Sequence, residues 1–309
     1  MTSKDTWKEI CETEGLYVPL FQQYWWRETV CYGKRWDVML SKGHGHLDGA
    51  MPYLYGRKLG MKYILQPQLT PWCGPWLNPS LDSTCRHYTL SALATGLRHQ
   101  KAVLCMQCFP PEMSDCQPFL QEGFLSTTRY TYRFPSLADP EALYHAASRI
   151  RRRYDKDVAA LCVVDEHLTL DEFVPFHIDY YRRRGEKDLI GEDLMRRVVT
   201  AACSRHQGLL WGLRRKGDNA LMAAWFVVYD ERCSWSLLLA IAEDAPRGAM
   251  SYLIWQMLHG LSSLTQSFDF EGGMDPNLAF FYSSFGTEKT PYHCIYRSRI
   301  PFGKRILGV

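Results

Sequence analysis

A strand, a helix and a second strand follow one another between Ser234 and Gly273, and this order limits the possible folds more than any other part of the chain. SWSLLLAIA (Ser234 to Ala242) is an apolar run bounded by charge, as is typical of a buried strand. Ser251 to Leu264 carries apolar residues at three- and four-residue spacing, which predicts an amphipathic helix. SFDFEGG (Ser267 to Gly273) reads as a second strand. Because the helix leaves no room for a hairpin, the two strands are predicted to be parallel and joined by a right-handed crossover.

The turn Ala245-Pro246-Arg247-Gly248-Ala249 lies between the first strand and the helix. It is expected at the carboxyl end of the strand and the amino end of the helix, where free backbone N–H groups and the helix dipole favour phosphate. Open parallel sheets tend to bind ligands at this edge. The sequence therefore predicts an anion site at this turn.

A short helix is predicted at Pro276 to Phe285, ended by Gly286, and a last strand at Pro291 to Ile300. In order and in residues these elements resemble the acyl-CoA-binding half of the GNAT superfamily of acyltransferases, in which the second strand splays away from the first. The family's diphosphate loop is of the Gln/Arg-x-x-Gly-x-Gly/Ala type. This chain matches its end, Arg247-Gly248-Ala249, but has Asp244 at the leading position.

The helix that follows matches the family at Asn277, Ala279, Tyr282 and Gly286. FDFEGG and FYSSFG resemble more narrowly the bacterial two-domain GNAT proteins of the FemAB-like kind. The resemblance implies an α+β fold of two tandem GNAT-like domains, each a mixed, mostly antiparallel sheet flanked by helices. It implies that acyl-CoA, as acetyl-CoA, is bound as co-substrate, with no metal, by Ile241, Ala242, Glu243, Arg247, Gly248, Ala249, Met250, Asn277 and Phe281.

Acyl transfer to an amine needs a base, an oxyanion donor and a proton for the thiolate. Glu271 is the expected base; alternatively Glu271 or Asp269 holds the turn at Gly272 and Gly273. Tyr282 is expected to protonate the thiolate, or else to pack beside its neighbours Phe280, Phe281 and Phe285. Backbone N–H groups near Ala240 to Ala242 are the expected oxyanion donors.

The two halves of the chain share an order of elements. FLQEGFLSTTRYTYRF (Phe119 to Phe134) has the outline of FYSSFGTEKTPYHCIYR (Phe281 to Arg297), and HLDGAMPYLY (His46 to Tyr55) that of DNALMAAWFVVY (Asp218 to Tyr229). We expect domains at residues 1–135 and 136–309. The loop Gln66 to Trp76 of the first copy lacks an Arg-Gly-Ala turn, so only the second copy is expected to bind coenzyme A.

Between the copies, Asp139 and Pro140 predict a helix start. The basic run Arg149 to Arg153 follows. It has three readings: a solvated face at a helix C-terminus, a contact to coenzyme A phosphates or an anionic acceptor, or a contact to an RNA backbone.

Composition narrows the classes further. A formal net charge of +3 over 309 residues does not indicate a general polyanion binder, and no apolar run reaches the roughly 20 residues of a membrane span. The N-terminus lacks a signal-peptide core, so a cytoplasmic location is expected. Eleven cysteines, an odd number, fit a reducing compartment. Cys105, Cys108 and Cys116 lack the partners of a zinc site, and no metal is expected.

These observations predict a cytoplasmic bacterial N-acyltransferase that moves an acyl group from coenzyme A to a small-molecule or peptide amine by direct attack. Two alternatives stay open: a FemAB-like transferase that uses aminoacyl-tRNA to extend a peptidoglycan precursor, or a non-catalytic GNAT-fold binding protein, which Asp244 would favour. The sequence leaves the acceptor, the acyl chain length and the oligomeric state open.

Overall fold

The computed structural model of the chain describes residues 2–43 and 46–308. Its helices are, in chain order, α1 (Ser3–Cys11), α2 (Tyr24–Val30), α3 (Ser83–His99), α4 (Gln117–Gln121), α5 (Pro140–Ala146), α6 (Arg149–Arg152), α7 (Asp155–Leu161), α8 (Leu170–Arg183), α9 (Glu192–Cys203), α10 (Ala249–Leu261), α11 (Pro276–Ser283) and α12 (Gly303–Leu307), with a 3-10 turn at Leu20–Gln22. Its strands are β1 (Arg35–Gly43), β2 (His46–Lys58), β3 (Met61–Leu65), β4 (Trp76–Leu77), β5 (Leu104–Cys108), β6 (Leu125–Phe134), β7 (Cys162–Asp165), β8 (Gly208–Arg215), β9 (Leu221–Tyr229), β10 (Cys233–Ile241), β11 (Ser267–Asp269) and β12 (Glu288–Ser298).

The chain forms two compact units. One contains the residues up to Arg129 together with those from Pro291 onward, and the other is Tyr130–Thr290. Strands β6 and β12 each pass from one unit to the other, because the chain is divided within them. This division by contacts differs from the repeat-based domain boundary after residue 135, which stays a prediction.

The sheet of the first unit is mixed. β1, β2 and β3 form the antiparallel meander that the sequence predicts, β3 runs parallel to β5, and β5 pairs antiparallel with residues 294–298 of β12. β4 pairs with β2. α3 connects β4 to β5 and buries Leu90, Leu93 and Leu97 in the core of this unit.

The sheet of the second unit has the order β6-β11-β10-β9-β8-β7. Its pairs are antiparallel except β10 with β11, which are parallel as predicted and joined by α10. β9 is buried along nearly its whole length, and α10 packs nine buried residues against the core. α5 begins as expected, because the Asp139 carboxylate accepts a hydrogen bond from the Ala142 N–H at 2.9 Å.

The two units repeat one order of elements. Three antiparallel strands, a helix, a parallel strand, a short helix and a further strand appear first as β1-β2-β3-α3-β5-α4-β6 and again as β8-β9-β10-α10-β11-α11-β12. The segments that the sequence aligns are equivalent in this order, since β2 corresponds to β9, and α4 with β6 to α11 with β12. The predicted α+β class with two mixed, mostly antiparallel sheets is confirmed.

Candidate functional site

A gap in the sheet of the second unit opens beside the last part of β10. β10 pairs with β11 only from Cys233 opposite Ser267 to Trp235 opposite Asp269, although its pairing with β9 continues to Ile241. The pairing of β10 with β9 has a register shift between Ser236 and Leu238, just after the pairing of β10 with β11 ends. The expected divergence of the two parallel strands is therefore confirmed. The second strand is shorter than predicted and ends at Asp269, because the backbone leaves the extended conformation at Glu271, Gly272 and Gly273, which all have positive φ.

The backbone of β10 offers hydrogen-bonding groups to this gap. The Ala242 N–H is committed to the Met222 carbonyl of β9 at 2.9 Å. Because backbone N–H groups alternate sides along a strand, those of Leu239 and Ile241 point to the other side. The Ile241 carbonyl indeed lies away from β9, where it accepts a hydrogen bond from Arg183 at 2.8 Å. Of the oxyanion donors expected at Ala240 to Ala242, the structure thus excludes the Ala242 amide and leaves that of Ile241.

The loop from Ala242 to Gly248 connects this strand to α10. Gly248 is the N-cap of α10 with a φ of +87°, a conformation that glycine adopts without strain. A Cβ atom at this position would lie 2.9 Å from the Cβ of Tyr154, so both backbone and space require glycine. Within the described part of the chain, the N–H groups of Met250 and Ser251 donate no hydrogen bond. These amides lie at the positive end of a 13-residue helix, where anions bind.

The remaining donor-site residues of the sequence analysis surround this loop. Ala249 and Met250 are buried in the first turn of α10, so their side chains belong to the core and only their backbone faces the loop. Glu243, Arg247 and Asn277 are exposed, and Phe281 is half-buried. Their roles in binding stay predictions.

Asp244 occupies the position at which the GNAT loop has Gln or Arg, and it is paired. Its carboxylate lies 2.9 Å from the guanidinium of Arg215, which also contacts Asp218 at 2.9 Å. The two carboxylates raise the pKa of Arg215, Asp218 contributing more than Asp244. Because Arg215 is shared between the two carboxylates, it offsets only part of the negative charge of Asp244.

Arg151, from the basic run between the copies, lies at the amino end of α10. Its Nη1 lies 3.4 Å from the Ser251 hydroxyl and its Nε 2.6 Å from the Ser284 hydroxyl. The guanidinium stacks on Phe281, 4.4 Å from the ring centre. Burial lowers the pKa of Arg151 from its ordinary value, but an arginine remains charged at neutral pH. A positive charge thus stands beside the free amides of the helix, which favours the phosphate reading of the basic run over a purely solvated face.

Asp269 and Glu271 have different environments. The Asp269 side chain is fully buried; its carboxylate accepts hydrogen bonds from the Thr131 hydroxyl and, at 2.7 Å, from the Glu271 N–H, and it lies 3.3 Å from the Arg133 Nε. It therefore holds Glu271, which has a left-handed φ of +58°. The Gly272 N–H donates to the Thr131 hydroxyl at 3.3 Å. Asp269 therefore caps the N–H group of Glu271, not those of the two glycines.

Glu271 is half-buried, and its pKa is raised well above the ordinary value of 4.5, first by desolvation and then by the charge of Asp269. Tyr282 is 6% exposed and stacks on Phe270 with ring centres 4.6 Å apart. Its pKa is also raised, first by burial and then by Glu271. Phe270, the residue before Glu271, stacks on Tyr282, so the structure brings the two predicted catalytic residues into one region. Of the aromatic neighbours considered for Tyr282, Phe280 points to solvent at 63% exposure.

Helix α8 contributes residues that the sequence did not single out. Tyr180 and Tyr181 influence the pKa of Tyr282, and Arg183 binds the end of β10, so α8 covers the gap. His177 is completely buried on this helix beside Tyr181, and burial lowers its pKa. Neither of its ring nitrogens has a hydrogen-bond partner in the described residues. An apolar spacing on a helix predicts burial, but it does not indicate that α8 faces Tyr282.

The cysteines give no metal centre. All eleven are free thiols, and among residues 2–43 and 46–308 no group of three His, Cys, Asp or Glu side chains is arranged to hold a metal ion. Cys108 and Cys294 are cross-strand neighbours with sulfur atoms 3.0 Å apart. None of the helices in the described ranges combines the length and hydrophobicity of a membrane span.

Comparison with known proteins agrees with this geometry. Residues 129–276 match the family model of the GNAT acetyltransferase domain. Similar solved structures are FemX (11% identity, 95% of this chain and 96% of that chain, TM-score 0.71), L-PGS from Bacillus licheniformis (12%, 98% and 95%, 0.61) and a tandem GNAT protein from the clavulanic acid biosynthesis pathway (11%, 95% and 94%, 0.54). No curated protein sequence matches the chain.

Residues 129–276, which include the gap, the loop and the start of α10, thus match the GNAT acetyltransferase domain. Over nearly its whole length the chain shares its two-domain fold with FemX and with the tandem GNAT protein.

Proposed function

We propose that the protein transfers an acyl group, in the simplest case acetyl, from coenzyme A to a primary amine by direct attack within a ternary complex. One observation carries this proposal: the free edge of β10 leads directly into a glycine-capped helix start with unbonded amides. A thioester of coenzyme A has a diphosphate for the helix start and an amide-containing arm that can bond to a strand edge. The match of this segment to the GNAT domain supports the same reading.

The donor is held by backbone more than by side chains in this proposal. The amides of Met250 and Ser251 bind the diphosphate, and Arg151 adds a charge-assisted contact beside them. The Leu239 main chain binds the arm, and the Ile241 N–H supports the developing oxyanion. Asp244 does not oppose the diphosphate with a full negative charge, because Arg215 offsets part of it.

Glu271 is the proposed general base. An amine with a pKa near that of lysine, about 10.4, is neutral in fewer than roughly one molecule in a thousand at pH 7, so a base is needed. A carboxylate in a desolvated site next to Asp269 has a raised pKa and takes a proton more readily than an exposed one. Tyr282 donates the proton to the leaving thiolate; burial and Glu271 disfavour its phenolate, so it is protonated at neutral pH.

Thermal unfolding with acetyl-CoA tests the donor site. A ligand at 100 times its Kd stabilises the native state by about 2.7 kcal/mol, which raises the midpoint by several degrees. Gly248→Glu places a side chain against Tyr154 and a carboxylate at the diphosphate, and is expected to abolish the shift. Gly191→Glu is the matched control, because Gly191 has a φ of +81° with no atom near its Cβ position. A wild-type protein that acetyl-CoA does not stabilise would contradict the proposal.

Aminoacyl transfer from tRNA is the second candidate. The similarity to FemX covers 95% of the chain, and Arg149 and Arg153 are exposed on the second unit. Stabilisation by charged tRNA and not by acetyl-CoA would favour this candidate. Stabilisation by acetyl-CoA without turnover of any amine would favour a non-catalytic binding protein.

A further inference from the structure

We propose that α6 and α11 form a docking surface for an anionic lipid bilayer. This surface, called the α6–α11 surface, consists of the exposed residues Arg149, Ile150 and Arg153 at α6 and Phe280 on α11 of the second unit. The proposal does not depend on the acyl donor. It concerns where the enzyme works rather than what it binds in the gap.

The two helices lie side by side. The Ser148 N–H donates to the Ser284 carbonyl at 2.9 Å, and the Arg151 Nε lies 2.6 Å from the hydroxyl of the same serine. Arg151 also stacks on Phe281 of α11. These contacts place the start of α6 against the last turn of α11, so their outward-facing residues belong to one surface.

That surface exposes large apolar side chains. Ile150 is 53% exposed, and Phe280, one turn before Ser284, is 63% exposed. Phe280 lies on the side of α11 opposite Tyr282, which faces the core, so its ring has no place inside the unit. An exposed apolar patch beside polar residues marks an interaction site, because leaving it in water is unfavourable.

The same surface is basic. Arg149 and Arg153 are exposed one turn apart, and neither forms an ion pair with a carboxylate within the described ranges. Apolar side chains combined with unpaired arginines are the features by which a surface binds anionic membranes: the apolar groups enter the acyl boundary and the cations meet the headgroups. An aliphatic side chain such as Ile150 gains nothing from an RNA backbone, so the combination favours a bilayer over tRNA.

Vesicle flotation tests this surface. The full-length protein is mixed with vesicles of phosphatidylcholine alone or with about one third phosphatidylglycerol, at low and physiological salt. We expect binding to the anionic vesicles only, weakened by salt as the surface charge is screened. An arginine near such a surface contributes about fivefold in affinity, so Arg149→Gln/Arg153→Gln should bind about 25-fold more weakly. Ile150→Ser/Phe280→Ser should lose binding as well.

Matched controls distinguish vesicle binding through this surface from nonspecific binding. Leu161→Ser/Val163→Ser removes two apolar residues of similar exposure, 53% and 49%, elsewhere in the same unit, and Lys187→Gln/Arg205→Gln removes two distant charges. Both should float like wild type. The proposal is overturned if the wild type does not bind anionic vesicles, if the controls lose binding equally, or if the α6–α11 variants affect tRNA binding instead. Loss of vesicle binding with normal stabilisation by acetyl-CoA leaves the donor site intact, so the two proposals fail separately.

Discussion

Asp269 and Glu271 are two carboxylates close together in the chain, and their different environments suit them to different roles. Asp269 is buried among donors and opposite Arg133, which suits an ionised structural group, whereas Glu271 has a raised pKa and stands beside Tyr282. Both follow from a single turn, because Asp269 fixes the backbone of Glu271 in the left-handed region. The sequence predicted Glu271 as the base on its position alone. The cause of its raised pKa, desolvation together with Asp269, is visible only in the fold.

Glu271→Gln tests the base. If Glu271 accepts the proton of the amine, kcat/KM of the wild type rises with pH until the raised pKa of Glu271 is passed, and the variant loses this rise and about 10²- to 10⁴-fold in rate. Rates with an amine of low pKa, which is already neutral, should fall much less. An unchanged pH profile in Glu271→Gln would contradict the assignment.

The stability of the same variant has a defined pH dependence. Because the folded state raises the pKa of Glu271, folding favours the protonated carboxyl, and this contribution is fully present below the unfolded pKa of about 4.5. As the pH rises above that value, the wild type should lose stability relative to Glu271→Gln, by at most about 1.4 kcal/mol per pH unit, until the folded pKa is reached. Urea unfolding of both proteins between pH 4 and 8 measures the difference. A constant difference over this range would show that Glu271 is not desolvated.

At the scale of elements, the sequence predicted the parts of the site with strong periodicity and missed those defined by contacts. The pattern places β10, α10 and α11 within three residues of their observed ends. β11 was predicted to reach Gly273 but ends at Asp269, because an alternating pattern cannot show that Glu271 adopts a left-handed conformation and turns the chain. β7, with four residues, is too short for a period-two signal. The position of Arg151 beside α10 depends on tertiary packing, so the sequence left three readings open.

The turn after β11 depends on one buried pair. Asp269 meets Arg133 on β6 and receives hydrogen bonds from Thr131 and Glu271. Asp269→Ala leaves the guanidinium without its carboxylate in a nearly dry site, which typically costs about 3–5 kcal/mol. We expect the free energy of unfolding, measured with urea, to fall by that amount. Acyl transfer should also be lost, because the turn that carries Glu271 is no longer held. Asp218→Ala is the control, since its ion pair with Arg215 is exposed and its loss should change the stability much less.

At the scale of the whole molecule, the two copies differ in the gap between their parallel strands, which is open only in the second copy. In the second unit the parallel strands part and leave a free edge. In the first unit the equivalent parallel pair, β3 with β5, is continued by a side chain: the Gln66 Oε1 accepts a hydrogen bond from the Cys108 N–H at 2.9 Å. The loop that follows is filled by Trp72, Cys73 and Trp76, all at most 4% exposed. The order of elements was readable from the sequence, but the closure by Gln66 was not, since a glutamine in a loop has no distinctive pattern.

This asymmetry predicts a single donor site. Titration calorimetry with acetyl-CoA should give one site per chain, because Gln66 bridges the gap between the parallel strands in the first unit, whereas β10 and β11 part after Trp235 and Asp269 in the second. Gly248→Glu should remove all of the binding heat, whereas Gly191→Glu should retain one site. Two sites in the wild type, or one site remaining in Gly248→Glu, would show that the first copy binds the donor after all. A single site would mean that the first unit does not bind the donor and is available for another part of the reaction.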